Sequence, residues 1–80
     1  MSRTLILYTR AGCGLCDELV ADAQPIVERH GAVIRRVDID QDRDLRRRYG
    51  WDIPVLLLDG EEICRHRLNP DALERALKNE

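Results

Sequence analysis

Six residues near the start, Thr4-Leu5-Ile6-Leu7-Tyr8-Thr9, form an apolar run with β-branched and aromatic members. The run does not alternate strictly, which is the pattern of a central strand covered on both faces. A loop follows at 10–12, where Gly12 permits a tight backbone path. The period then changes. Over residues 13–29, Leu15, Leu19, Ala23, Ile26 and Val27 recur near one helical stripe. Asp17 and Glu18 lie in its first turn, where negative charge suits a helix N-terminus. Pro25 interrupts the pattern. It removes one backbone bond and should kink the helix or divide it into two segments. His30-Gly31 makes a stop, with Gly31 in the left-handed position and Arg29 and His30 near the carbonyl end.

Residues 32–39 (AVIRRVDI) read as a second strand, and its two arginines suggest a sheet edge. Asp40 is placed to cap a short helix over 41–49, where Leu45 and Tyr49 pair at i, i+4 and Gly50 ends the run. Trp51-Asp52-Ile53-Pro54 leads into Val55-Leu56-Leu57-Leu58, a buried strand opened by proline. Asp59-Gly60 is a two-residue hairpin signal. The return strand runs from 61 to 66 or 67, with Ile63 and Arg65 on one face and Cys64 and His66 on the other. Asn69-Pro70-Asp71 opens the last helix with an N-cap, a proline at the first helical position and an acid in the first turn. Leu73, Ala76 and Leu77 face the core.

The predicted order is β-α-β-α-β-β-α over residues 1–80, a single domain without repeats or linkers. A β-α-β unit demands a right-handed crossover and a parallel strand pair. The hairpin demands an antiparallel pair. The fold class is therefore α/β, a four-stranded mixed sheet flanked by helices.

Composition constrains the core. There is no Phe, one Trp and two Tyr, so Leu, Ile and Val must fill it. A chain of this size buries only about two thirds of its unfolded surface. The net charge of -2, from 13 basic and 15 acidic residues, gives no long-range field for nucleic acid or an anionic membrane. Arg46, Arg47 and Arg48 point in different directions on a helix and are offset by Asp38, Asp40, Asp42 and Asp44, the pattern of a solvated surface. No signal-peptide pattern and no stretch of transmembrane length is visible, so a cytoplasmic location is expected. In that compartment a Cys-x-x-Cys more often means redox chemistry or metal than a structural disulfide. Three cysteines, an odd count, also argue against a secreted disulfide framework.

The candidate chemistry lies in Cys13-Gly14-Leu15-Cys16. At the first turn of a helix, Cys13 and Cys16 are neighbours on one face and can close or exchange a disulfide. The same spacing is half of a zinc site, and spacing alone leaves both uses open. Cys64 and His66 complete a Cys₃His count. However, Cys64-x-His66 lies within a predicted strand away from the first helix, not in a tight knuckle. The pair is read as a semi-buried thiol and a surface imidazole, and no metal site is expected.

Two separated features, the Cys-x-x-Cys at the first strand-to-helix junction and Ile53-Pro54 opening the third strand, resemble the thioredoxin superfamily. The length and the run Leu7-Tyr8-Thr9-Arg10-x-x-Cys13-x-x-Cys16 resemble most closely its small bacterial glutaredoxin-like branch. The resemblance covers essentially the whole chain. It implies a thioredoxin fold and thiol-disulfide exchange. It also implies that Cys13 is the attacking thiol, Cys16 the resolving thiol and Pro54 a cis proline beside them. The chain departs from the glutathione-binding glutaredoxins in three places. Cys13-Gly14-Leu15-Cys16 replaces their usual Cys-Pro-Tyr-Cys. Asp52-Ile53 replaces Thr-Val before the proline. Cys64-Arg65-His66-Arg67 replaces a Gly-Gly pair with following acids. Arg10 alone matches a glutathione contact, at the family's usual lysine position.

Only a thiolate attacks a disulfide, and a free thiol with pKa about 8.5 is only about 3% ionised at pH 7. A helix N-terminus contributes roughly 0.3–1 kcal/mol toward the charged form at Cys13. Arg10, folded back, would add to this, while Asp17 and Glu18 oppose it. Cys13 is the expected low-pKa thiol, and Cys16, one turn further in, the less exposed one. Gly12 and Gly14 keep the stretch open. Ile53 is expected to offer its backbone to an extended substrate segment, in the manner of strand addition.

The leading expectation is a dithiol-disulfide oxidoreductase that reduces protein disulfides or mixed disulfides, with no bound cofactor. Its electron donor is glutathione or thioredoxin reductase, and its partner a disulfide-containing protein or a low-molecular-weight thiol. The chain is read as a monomer. Two other readings are a metal module binding zinc, or an iron-sulfur cluster in a dimer, and a thioredoxin-fold adaptor whose dithiol is incidental.

Overall fold

A computed structural model describes residues 3–78. Strand β1 (Thr4–Thr9) leads into helix α1 (Gly14–Arg29), strand β2 (Val33–Asp38), a 3-10 turn (Ile39–Gln41) and helix α2 (Arg43–Tyr49). Strands β3 (Val55–Leu58) and β4 (Glu61–Arg65) then form the hairpin, and helix α3 (Pro70–Lys78) closes the order. The sheet order is β2-β1-β3-β4. β1 pairs parallel with β2 and antiparallel with β3, and β3 pairs antiparallel with β4. The four-stranded mixed sheet and the arginine-bearing edge strand β2 are as the sequence predicts.

The core lies on one face of the sheet. Leu5 and Leu7 of β1 stand opposite Leu58 and Leu56 of β3. Leu19, Ala23 and Val27 of α1 and Leu73 and Leu77 of α3 pack on the same cluster. Each fully buried Leu or Val contributes about 1.5–3 kcal/mol by leaving water. The other face is thinner than the sequence implies. β1 alternates after all, with Ile6 and Tyr8 only half-buried, because α2 covers that face without burying any residue of its own. Tyr49 of α2 stacks on Tyr8, with ring centroids 4.7 Å apart.

Five local expectations change. Leu15 is exposed, and Cys16 takes the core-facing position above Leu19. Pro25 neither breaks nor divides α1, since it and Ala21, whose carbonyl loses its i+4 donor, both face solvent. Asp42, not Asp40, caps α2: its Oδ1 accepts from the N–H groups of Asp44 and Leu45 at 2.9 and 3.2 Å. Asp40 is held inside the 3-10 turn that Asp38 caps. A bulge between Leu56 and Leu57 leaves Ile63 extra on β4, so the strand is not a simple two-face alternation. Finally, β4 stops at Arg65, because His66 adopts φ 68 and its N–H turns to the Pro54 carbonyl at 2.8 Å. The Asp59-Gly60 turn has φ 52 and 82, the two positive values a type I′ hairpin needs. Asn69 caps α3 as predicted, accepting from Ala72 N–H at 3.1 Å.

Candidate active site

Strand polarity brings the chemistry to one end of the sheet. Tyr8 pairs with Val55, so the chain leaving β1 toward Cys13 and the chain entering β3 from Pro54 lie together. β2 ends there at Asp38, leading to Asp40, and β4 ends there at Arg65 and His66.

Cys13 is the N-cap residue of α1. Its backbone is extended, with φ -87 and ψ 102, and its Sγ accepts a hydrogen bond from Cys16 N–H at 3.1 Å. A sulfur in this role takes one of the orphan donors of the first turn. Cys13 and Cys16 are joined by a disulfide, with Cα atoms 5.3 Å apart. Cys13 is partly exposed, whereas Cys16 is wholly buried. Gly12 has φ 77, a backbone conformation that favours glycine, and it lets the loop turn onto the helix start. Gly14 is the first helical residue, with open space where a side chain would stand. Asp17 does not act as an uncompensated negative charge beside the sulfurs, because Arg36 of β2 donates to its carboxylate at 3.0 Å.

The Ile53–Pro54 peptide bond is cis, and Pro54 is buried. Ile53 is partly exposed, and among the described residues neither its N–H nor its C=O enters a loop or turn hydrogen bond. The loop before it is pinned elsewhere. Asp52 N–H donates to Tyr49 O at 2.9 Å. The Asp52 carboxylate meets Arg65 at 3.2 Å and lies 3.7 Å from His66 Nε2. Arg65 also forks onto Glu62. That hydrogen bond holds the Glu62 carboxyl below its ordinary pKa and the Arg65 guanidinium above its own.

Arg10 turns toward the connection after β2. It does not fold back on Cys13. Its Nε and Nη2 donate to the two oxygens of Asp40 at 3.0 and 2.8 Å, and its Nη1 reaches Gly50 O at 3.4 Å. The bidentate bond raises the Arg10 pKa and lowers that of Asp40. Local pattern assigns Asp40 a capping role because a partner 30 positions away leaves no local signal. Local pattern also leaves Trp51 without a role, yet it stands 96% exposed and shares with Arg10, Arg46 and Gly50 a cavity of about 190 Å³. A larger groove of about 430 Å³ runs on the α1 side, between Leu15, Glu18 and Asp22 and the loop His66–Leu68. Cys64 and His66 do not join the dithiol. Among the described residues no group of three or more His, Cys, Asp or Glu side chains is arranged to hold a metal ion, and no helix is long and apolar enough to cross a membrane.

Comparison with known proteins agrees with this geometry. A family described as the glutaredoxin-like domain (DUF836) matches residues 4–78. A glutaredoxin-like protein of Dictyostelium discoideum, the YDR286C homolog, is 31% identical over 82% of this chain and 67% of its own length. The solution structure of protein Ne2328 from Nitrosomonas europaea superposes with a TM-score of 0.85 at 29% identity, covering 95% of this chain and 92% of that one. A mutant thioredoxin from Halobacterium salinarum superposes with a TM-score of 0.60 at 26% identity, covering 94% of this chain and 71% of that one.

Proposed function

The chain belongs to the glutaredoxin-like domain family and has a thioredoxin fold with a Cys13–Cys16 pair, and from that premise we propose that it is a dithiol-disulfide oxidoreductase. The observation that carries the reading is the asymmetry of the pair: a partly exposed sulfur at a helix N-cap, joined to a buried one behind it. In the reduced protein the Cys13 thiolate attacks one sulfur of a substrate disulfide. A Cys13–substrate mixed disulfide forms, and the displaced substrate sulfur leaves as a thiolate that takes a proton. The Cys16 thiol gives up its proton and attacks Cys13 Sγ. This closes the Cys13–Cys16 bond and releases the second substrate sulfur as a thiol. Two electrons have passed to the substrate. A thiol system, glutathione or thioredoxin reductase, returns them and opens the bond again.

The supporting roles follow from position. Cys16 N–H, already aimed at Cys13 Sγ, stabilises negative charge there in the reduced state. Ile53, whose N–H and C=O have no backbone partner among the described residues, offers them to an extended substrate segment, and the buried Pro54 leads from it into β3. Gly12 and Gly14 leave the approach to Cys13 clear. The substrate is a disulfide-bearing protein or a low-molecular-weight mixed disulfide in the cytoplasm, and the enzyme carries no cofactor of its own. Reductase assays through both the glutathione and the thioredoxin-reductase routes test this. Turnover by either route is expected, with a Cys16→Ser variant accumulating one covalent substrate adduct on Cys13. Binding of disulfide proteins without turnover or adduct would leave an adaptor in its place.

A further inference from the structure

The chain has a single tryptophan, and it is spent on the surface. Trp51 is 96% exposed, while Leu and Val residues fill the core that a tryptophan would help to build. Tryptophan is enriched among the residues that carry most of the energy at binding interfaces. Here the backbone is ordered on both sides. Gly50 N–H donates to Arg46 O at 2.9 Å, and Gly50 O accepts from Arg10. A Cβ on Gly50 would lie 2.5 Å from Arg46 O, so the glycine is what allows this close approach. On the far side, Asp52 N–H closes back on Tyr49 O at 2.9 Å. The backbone that carries the indole is therefore fixed on either side of it.

Its surroundings define the occupant. Trp51 sits in the turn that Asp52 N–H closes on Tyr49 O, two residues before Ile53, whose N–H and C=O have no backbone partner among the described residues, so a segment held at Ile53 passes close to the indole. The cavity beside it is lined by Arg10 and Arg46. Arg10 is already committed to Asp40, and its planar group serves as a wall rather than as a free cation for a carboxylate. Flat cationic groups next to an indole suit an apolar or aromatic side chain.

We propose that Trp51 is a specificity-determining residue: it seats a bulky apolar side chain close to the cysteine of a polypeptide disulfide, so the site favours protein disulfides over small ones. The inference rests on the exchange reaction proposed above and names its substrate class. Residues two apart in a chain lie only a few ångströms from each other, so a partner cysteine held at Ile53 brings the side chains beside it within reach of the indole.

Two synthetic peptides test it. Each carries one cysteine as a mixed disulfide with 2-mercaptoethanol, and they differ only in having Phe or Gly at the positions two residues to either side. The fully reduced protein converts each, in a single turnover, to the peptide thiol and 2-mercaptoethanol while closing its own Cys13–Cys16 bond. The Phe peptide is expected to react about tenfold faster than the Gly peptide. That ratio falls to within about twofold in Trp51→Ala and is largely restored in Trp51→Phe. Because Trp51 is the sole tryptophan, its emission in the Cys16→Ser adduct with the Phe peptide should shift to the blue as the ring is covered. Equal rates for the two peptides, a ratio unchanged in Trp51→Ala, or an unshifted emission each overturn the proposal while leaving the exchange reaction standing. No exchange with either peptide overturns the exchange reading and this inference with it.

Discussion

The three cysteines occupy two opposite environments. Cys13 lies at an open end of the sheet, where the Cys16 N–H donates to its sulfur and glycines keep the approach free, with the buried Cys16 bonded behind it. Cys64 lies on β4, opposite Leu56 and within the leucine core. Burial pushes its thiol pKa up, against a pull from the Asn69 backbone, and the Glu62 charge adds to the rise. The contrast shows that reactivity here is a property of position rather than of the thiol. A sulfur offered a donor and solvent is fit for exchange, and one packed among leucines is a small hydrophobe.

Replacing a sulfur in each environment should separate them most sharply. Cys13→Ser removes turnover, a loss of at least about a thousandfold, because no nucleophile remains. Cys64→Ala keeps turnover within about twofold. Steady-state disulfide reduction reads both, and a Cys64→Ala loss comparable to that of Cys13→Ser would abolish the distinction.

A smaller effect comes from breaching the core around Cys64. Leu56 is fully buried and pairs with Cys64 across the β3–β4 ladder. Leu56→Ala should cost about 2–5 kcal/mol in denaturant unfolding and expose Cys64 to alkylation. Unchanged alkylation of Cys64 in that variant would mean that burial is not what protects it.

The third effect is one of pH. The Cys64 pKa is raised in the folded state above its ordinary value of 9.0, so the folded protein keeps a proton that the unfolded chain loses. The stability from this group is fully present below that ordinary value and declines as pH rises through the folded one. Unfolding free energy followed from pH 8 upward should fall more steeply in the wild type than in Cys64→Ala. Parallel curves would show that the thiol is not desolvated.

The smallest effect belongs to Arg10. Its guanidinium is paired with Asp40 at a largely exposed position, so Arg10→Ala should shift the pH profile of Cys13 alkylation by less than about 0.3 unit. A larger shift would show that Arg10 acts on the thiol after all.

Much of this was legible from local pattern. The apolar runs gave the strands, Asp59-Gly60 the hairpin and Asn69-Pro70 the start of α3. Each of these signals acts over a few residues. The misreadings arose where several neighbours offered the same chemistry or where a partner lay far along the chain. Asp38, Asp40 and Asp42 are all capable caps, and only the 3-10 turn decides which one serves α2. Leu15 and Cys16 both fit a helical stripe, and the choice between them rests on how α1 rotates over β1 and β3. The Arg10–Asp40 pair joins two connections that only the parallel β1–β2 register brings together. The exposure of Trp51 is a tertiary fact, since nothing in its neighbours' identities says that the core closes without it. The cysteines at the candidate site were the most visible feature of the sequence, and the lower exposure of Cys16 followed from its place one turn into the helix.

Exchange chemistry at this site requires Cys13 and Cys16 to form a reversible couple that excludes Cys64. Equilibrating the protein across a series of thiol-disulfide buffers, then alkylating and mapping the cysteines by mass, measures this directly. One two-electron transition is predicted, with a tenfold change in the reduced-to-oxidised ratio for each ~30 mV, and with Cys64 reduced at every point. Failure of the Cys13–Cys16 bond to form at any potential, or a bond that includes Cys64, would contradict the account.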